Sequence, residues 1–579
     1  MPFLHSSSDL KIKRRSAAEL LGFTVAKLFP QAYLVGGGLI SYGFYYDFIF
    51  EQVVDEGMLS LIEVNLRTLI KDACPVQALS IMRENAQSLF EHHHQPFLAE
   101  LAGDSEQNII ELMQLDQFYG VCPAPMIGST DEIGSVKLLD VSTRQQEIEG
   151  ESFAVTRICG TSFFYAKELK QFLKLYEVYF KRKDHRKFGV DLNLFSYSQS
   201  LSEIECLWHP KGTLVTDLLQ EWLENELSKR ERVEKVGTPL VVRHERMKAF
   251  PCALEPFEYK LDLYGVSPSR LLQSIRLFEA LKVSLEELPV RHFEWAPIYQ
   301  RKESALTEGL LDSVCQLVDQ TTVFCLREQL SQEFISSLQF IEQIIRIFGF
   351  EAHWYFVASR QKTLKFRQER QTLNWMRQAV QGQSLLYPLQ EELLEDDNLE
   401  GPRLELKLAD GMGREWAGPA LTIVTHGIDT DKGSVKAGES PKTLPAILVR
   451  QILGPLERMI ALLVEQGEGI FPFWLAPEQV RILAIGEVSH SYVREIEARC
   501  KEQGLRVKVD LRTTKLGEKI HTAEKEKIPY LFIVGDQEVK RKIVTVRSIQ
   551  RPGKSESVKL EEFLDQIHQE CRRPTVVGC

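Results

Sequence analysis

VRILAIG (480–486), SYVREIEARCKEQG (491–504), RVKVDL (506–511) and PYLFIVG (529–535) decide the fold of the C-terminal part of this chain. Short apolar runs alternate with an amphipathic helical pattern that stops at Gly504, and a second helical stretch ends near Lys525. That alternation is the βαβ rhythm of a small α/β domain. Upstream, LELKLAD and PALTIVTHG lie too close together for a crossover connection, so they read as antiparallel partners in a different kind of sheet. TDLLQEWLENELSKRERVEKV reads as a helix leading into the strand GTPLVVRHE, and EELLEDDNLEG (391–401) as a surface loop or insertion. AKELKQFLKLYEVYF closes the first part of the chain, with Leu169, Phe172, Leu173, Leu175, Tyr176 and Phe180 at helical spacing. The basic connector Lys181–Lys187 that follows reads as a solvated helix end.

The chain has 579 residues, too many for one core and enough for about three or four domains. With 44% hydrophobic and 26% charged residues it is a globular sequence, which excludes a collagen, a disordered tail and a polytopic membrane protein. MPFLHSSSDLKIKRR has no apolar segment after its basic residues, so no signal peptide is expected. No run approaches the ~18 apolar residues that a membrane span needs. The ten cysteines contain no CxxC, which points to reduced thiols rather than a disulfide framework or zinc ribbon. The expected setting is cytoplasmic. A net charge of −11 argues against a generic polyanion binder, yet residues 501–550 hold twelve Lys and Arg against seven Asp and Glu. That local reversal suits a phosphate-bearing partner. His92-His93-His94 reads as a solvated patch, since neighbouring residues of a regular element cannot all face one ion.

FPFWLAPEQVRILAIG (471–486), VDLRTTKLGEKI (509–520), IPYLFIVGDQEV (528–539) and VTVRS (544–548), in that order and spacing, resemble the anticodon-binding domain of threonyl-tRNA synthetase. LPAILVRQILGPLERMIALL (444–463) is similar to that family's third class II motif, and DHRKFGVDLNLF (184–195) and WHPKG (208–212) to its catalytic-domain entry. LGFTVAKLFPQA (21–32), GFYYDF (43–48) and TRICGTSFF (156–164) are similar to its proofreading domain. The family's small ubiquitin-like domain finds no counterpart. The resemblance implies an α+β multidomain chain: an editing-like domain at 1–180, a class II catalytic-like domain on an antiparallel sheet at 181–466, and an α/β anticodon-binding-like domain at 467–579. It also implies a tRNA partner, a homodimer formed through the first class II motif, and neither DNA nor membrane binding.

The implied chemistry activates threonine with ATP and passes it to tRNA. Adenylate formation needs a fixed cation where charge builds on the α-phosphate. LPVRHFEWAPIYQRKESALTEGLLDSVCQLVDQTTVFC (288–325) aligns with the second class II motif, but the arginine position holds Gln300 and the adenine-binding glutamate position holds Lys302. Arg301 would leave an extended strand on the opposite face. The loop arginines and the glutamine–aspartate run are also replaced, leaving Asp312 and Val318-Asp319-Gln320. The family's zinc site needs sulfur and imidazole donors, and the aligned positions are Leu271, Thr322 and Val449. Proofreading uses an HxxxH pair and a downstream CxxxH; here these are Arg15 and Glu19, then Cys122 and Met126. Arg15 and Glu19 read as a surface ion pair, and Cys122 as a small buried residue.

Arg458, the third-motif position that would contact ATP phosphates, is retained. Of the polar positions implied in anticodon reading, Glu538 and Arg547 match, while Thr513 and His521 replace an asparagine and an arginine. The expectation is a threonyl-tRNA-synthetase-like protein without aminoacylation activity that binds tRNA or a protein partner and holds no metal. One alternative is a divergent threonine–tRNA ligase, the only reading that calls for ATP and zinc. Another is a regulatory or assembly subunit that does not bind tRNA.

Overall fold

The computed structural model describes the chain except residues 1–7, 41, 51–53, 55, 106–107, 149–150, 183, 199–201, 244–256, 260–261, 300–307, 359–363, 396–399, 425–426, 430–433, 437–445, 552 and 577–579. It divides into two compact units, Met1–Phe180 with Met412–Arg414, and Lys181–Gly411 with Glu415–Cys579.

In the first unit an antiparallel sheet runs in the order Tyr33–Ile40, Gly43–Ile49, Glu151–Phe163, Ser135–Ile148. The helix Ser8–Leu28 lays Ala17, Ala18, Leu21 and Val25 against Phe44, Tyr46 and Phe48 in a common core. Small residues permit that approach: a Cβ at Gly22 or Gly37 would lie 2.9 or 2.5 Å from the Tyr46 ring. A second antiparallel sheet joins Gln77–Met82, Ile109–Leu115 and Phe118–Val121. Beside the first sheet, Arg157 grips Asp47 through two bonds of 2.8 and 2.7 Å, with its guanidinium 3.7 Å from the centre of the Tyr45 ring.

The second unit is built on an eight-stranded sheet. Its order is Glu234–Lys235, Val290–Tyr299, Cys315–Cys325, Ala446–Gln451, Glu415–Ile423, Arg403–Ala409, Ala352–Ala358 and Leu389–Glu395. Arg403–Ala409 and Glu415–Ile423 pair antiparallel, as their short separation requires, with Leu404 opposite Leu421. Phe293, Val323, Leu448, Leu421, Leu406 and Trp354 belong to one core, shared with residues of the helices Pro210–Arg230, Leu330–Phe348 and Leu456–Gln466. Each fully buried leucine or phenylalanine of that layer stabilises the fold by about 1.5–3 kcal/mol. A five-stranded sheet follows in the order Val507–Asp510, Val480–Ala484, Tyr530–Val534, Ile543–Ser548, Ser555–Lys559; its first three strands are parallel and its last two antiparallel. Gly504, at φ +75°, ends the turn after the helix His490–Glu502.

Three local expectations are corrected. The acidic stretch 391–401 is not simply a loop: Leu389–Glu395 is a strand, because its backbone pairs parallel with Ala352–Ala358, Leu389 beside Trp354 and Leu393 beside Phe356. The helix Pro210–Arg230 stops before residues 234–235, which leave as a strand parallel to Val290–Tyr299. The basic connector is not solvated throughout. His185 is buried; its Nδ1 donates to Glu465 Oε1 at 2.6 Å, and its Nε2 accepts from Leu310 N at 3.2 Å. Glu465 Oε2 accepts from Gly411 N at 3.2 Å, so one buried pair holds four segments together. Among the described residues no helix is long and apolar enough to cross a membrane.

Removing one member of a buried pair leaves the other uncompensated, which costs about 3–5 kcal/mol. His185→Ala is therefore expected to lower the free energy of unfolding by about that amount in urea titrations, whereas Arg276→Ala, at the exposed pair with Glu279, changes it by about 1 kcal/mol or less.

Candidate functional site

The face of the eight-stranded sheet opposite the main core collects the candidate positions. His292, Thr322 and Val449 pair across three neighbouring strands, so their side chains form one row. Leu271 opens the helix Leu271–Leu281 and lies in one buried apolar cluster with Ile275, Leu288, Phe324 and Val449. The Phe278 and Phe324 rings stack at 4.2 Å with 16° between planes. Of the three positions aligned with a metal site, Leu271 and Val449 thus pack in the apolar cluster, and the Thr322 hydroxyl accepts from Gln320 Nε2 at 3.4 Å. Zinc needs thiolate, imidazole or carboxylate donors, and these three side chains supply none. Among the described residues no group of three or more His, Cys, Asp or Glu could hold a metal ion. Gln300, Arg301 and Lys302 lie outside the described residues.

Arg458 sits in the first turn of the helix Leu456–Gln466 and is 5% exposed. Its Nε donates to the Leu311 carbonyl at 2.6 Å, its Nη1 to the Ala417 carbonyl, and its Nη2 lies 3.5 Å from Asp312 Oδ1. All three nitrogens face the protein's own oxygens. Burial pulls its pKa down, opposed by Asp312 and Glu405. Asp319 supports the same corner: it is fully buried and accepts from Ile452, Leu453 and Gly454 N, bracing the turn into the Arg458 helix. Neighbouring Glu457 accepts from Leu317 N at 2.9 Å, and burial raises its pKa to about 7.

In the first unit Glu19 and Cys122 are both buried. The Glu19 carboxyl occupies the space over Gly120, where a Cβ would lie 2.0 Å from Oε2. Glu19 Oε2 and Tyr46 Oη have no hydrogen-bond partner. The expected Arg15–Glu19 surface pair is corrected: the two residues are one turn apart, but Glu19 is 2% exposed and no ion pair joins them among the described residues. The helix face carrying Glu19 is covered by the strands of Tyr46 and Gly120. Met126 is half-buried and packs on the same core.

In the five-stranded layer Glu538 is engaged internally, accepting from Gly535 N and from Thr545 Oγ1, each at 2.9 Å. Arg547 pairs with Glu524 at 2.7 Å. Thr513 and His521 are exposed, Thr513 just before the helix Leu516–Lys525 and His521 on it. Lys519, which the sequence reading passed over, is 2% exposed; its Nζ donates to the carbonyls of Ala484 at 2.8 Å and Asp510 at 3.3 Å. It joins the ends of two parallel strands, and its place four residues before buried Ala523 on one helical face was the signal.

A family model described as an anticodon binding domain matches residues 479–570. Along its whole length the chain is 31% identical to a threonine–tRNA ligase of Oleidesulfovibrio alaskensis, of which the match covers 90%. The chain belongs to the threonine–tRNA ligase family. A threonine–tRNA ligase of Clostridium botulinum is 28% identical over 99% of this chain and 92% of that one. Among solved structures, the RNA binding domain of threonyl-tRNA synthetase from Cryptosporidium parvum superposes with a TM-score of 0.60 at 22% identity. That match covers 68% of this chain and 99% of the other, a likeness of fold.

In this member of the threonine–tRNA ligase family, the helix position that resembles a proofreading histidine carries a buried acid instead. Burial raises the Glu19 pKa from 4.5 to about 8 and, with Glu19 adding to it, the Cys122 thiol to about 12. The folded protein therefore keeps a proton on Glu19 that the unfolded chain releases above pH 4.5. The associated stability is complete below pH 4.5 and is lost as the pH rises to about 8. The slope is at most about 1.4 kcal/mol per pH unit. Glu19→Gln keeps the shape and removes the titration, so the first unit's unfolding midpoint should vary less between about pH 5 and 8 in the variant than in the parent.

Proposed function

We propose that this threonine–tRNA ligase family member does not aminoacylate and binds tRNA through its C-terminal α/β layer. The observation that supports the first half is Arg458: its guanidinium is turned onto the Leu311 and Ala417 carbonyls, so two of its three nitrogens are engaged by backbone oxygens instead of facing a phosphate. Adenylate chemistry gains its rate from donors held ready for developing charge, and donors already spent on backbone oxygens do not supply that stabilisation. The apolar cluster of Leu271, Phe324 and Val449 supports the same reading, because Leu271 and Val449 carry no atom that could ligate a metal ion. In this reading residues 1–180 are an editing-like domain, 181–466 a catalytic-like domain and 467–579 the anticodon-binding-like domain, working as a cytoplasmic homodimer.

The RNA half rests on the basic balance of residues 501–550 and the match to an anticodon binding domain. Part of the basic charge is internal: Arg547 is paired, Arg512 pairs with Asp510 at 2.6 Å, and Lys519 is buried. Lys515, Lys525, Lys540 and Arg541 are exposed cations available to phosphates, with Thr513 and His521 as exposed hydrogen-bonding groups.

Purified protein is expected to show no threonine-dependent exchange of pyrophosphate into ATP. Exchange with threonine would sink the inactive reading and restore the ligase alternative. In gel shifts with total tRNA the protein should bind, and Lys515→Ala should weaken binding uniformly and reduce the salt slope by about 1. An absence of any shift at low salt would favour an assembly subunit that does not bind tRNA.

A further inference from the structure

Beyond the helix Leu560–Cys571 the chain turns back along the helix Pro210–Arg230 and meets it at three successive points. Arg573 Nη2 pairs with Glu221 Oε2 at 2.7 Å. The Pro574 carbonyl accepts from Trp222 Nε1 at 2.8 Å, and Val576 N donates to Glu226 Oε2 at 3.0 Å. Trp222 is 1% and Glu226 4% exposed, so both recognition groups are set into the wall rather than carried on flexible surface side chains. Trp222 is itself wedged between Phe348 and Trp474, each 5.4 Å away centre to centre. A buried indole N–H left without an acceptor costs about 1–3 kcal/mol, so this wall is built for an extended backbone. Charge agrees: the segment RRPTV (572–576) carries two arginines, and the helix presents Glu221 and Glu226 to it. Thr575 and Val576 then form one side of a 560 Å³ cavity whose other side includes Arg230, Arg291, Glu231 and Glu333.

The same helix is fastened at its opposite end. Lys211 Nζ pairs with Glu526 Oε2 at 2.9 Å, and Glu526 is shared with Arg481 at 2.8 Å. Glu526 directly follows the helix Leu516–Lys525, so the C-terminal layer reaches the helix Pro210–Arg230 once through its own body and once through its tail.

We propose that the groove along Pro210–Arg230 is a docking site for an extended basic Arg-Pro segment, and that its resident occupant is this chain's own tail, which straps the five-stranded layer to the eight-stranded one. The recognition elements are the Glu221 carboxylate for the arginine, the Trp222 N–H for the proline carbonyl, and the Glu226 carboxylate for the amide two residues on.

The test uses the full chain and a chain ending at Cys571. In calorimetric titration the shortened chain should bind the peptide RRPTV with a stoichiometry of one, and the full chain at least about tenfold more weakly because its site is filled. A peptide with glutamate at the position of Arg573 should bind the shortened chain at least about tenfold more weakly than RRPTV. Failure of the shortened chain to bind RRPTV while it keeps a cooperative unfolding transition, or equal binding by both chains, overturns the proposal. Should the shortened chain fail to fold, hydrogen exchange in the full chain decides. Trp222→Phe keeps a ring and removes the donor, so the Val576 amide, hydrogen-bonded to Glu226, should exchange at least about tenfold faster than in the parent. Unchanged exchange at that amide overturns the strap.

Discussion

Side chains alternate across the eight-stranded sheet, and most of the second unit's architecture follows from that constraint. Burying Phe293, Val323 and Leu448 under helices commits His292, Thr322 and Val449 to the opposite face, whatever their chemistry. A family scaffold therefore persists when its site residues change, because the apolar face that holds the sheet and the face that carries chemistry are separate sets of positions. On that opposite face Leu271, Phe324 and Val449 are buried together.

Polar residues beside the eight-stranded sheet have a structural meaning. Arg458 and Asp319 are buried and Glu457 is half-buried, and each is held by backbone groups of a neighbouring strand or turn. A buried arginine must find acceptors or lose several kcal/mol, and two carbonyls with a nearby carboxylate satisfy that need. Glu19 shows the converse: a titratable group placed at a helix position that resembles a proofreading site, without a polar partner, is kept in its neutral form.

Elements were readable where one local signal sufficed. The βαβ alternation from 480 to 534 and the close pairing of 403–409 with 415–423 follow from period and spacing, and both form. The strand at 389–395 was not readable, since its glutamates look like a loop and its pairing with Trp354 and Phe356 is a long-range event. The buried pair of His185 with Glu465 joins residues 280 apart, and no charge count along the connector reveals it. Glu19 and Arg15 have helical ion-pair spacing, which says that they share a face but not whether a strand covers it.

The sequence by itself determined the family, the α+β class and the absence of ligating side chains at 271, 322 and 449, because those depend only on residue identity and order. It also placed a basic balance in residues 501–550. Only the tertiary structure decided how that charge is divided, with Lys519 buried and Arg547 paired while Lys515 stays exposed. It alone turned Arg458 onto Leu311 and Ala417, and laid the tail on Trp222 and Glu226. Each outcome is set by which distant oxygen or N–H lies within about 3 Å, a distance fixed by packing and invisible in linear order.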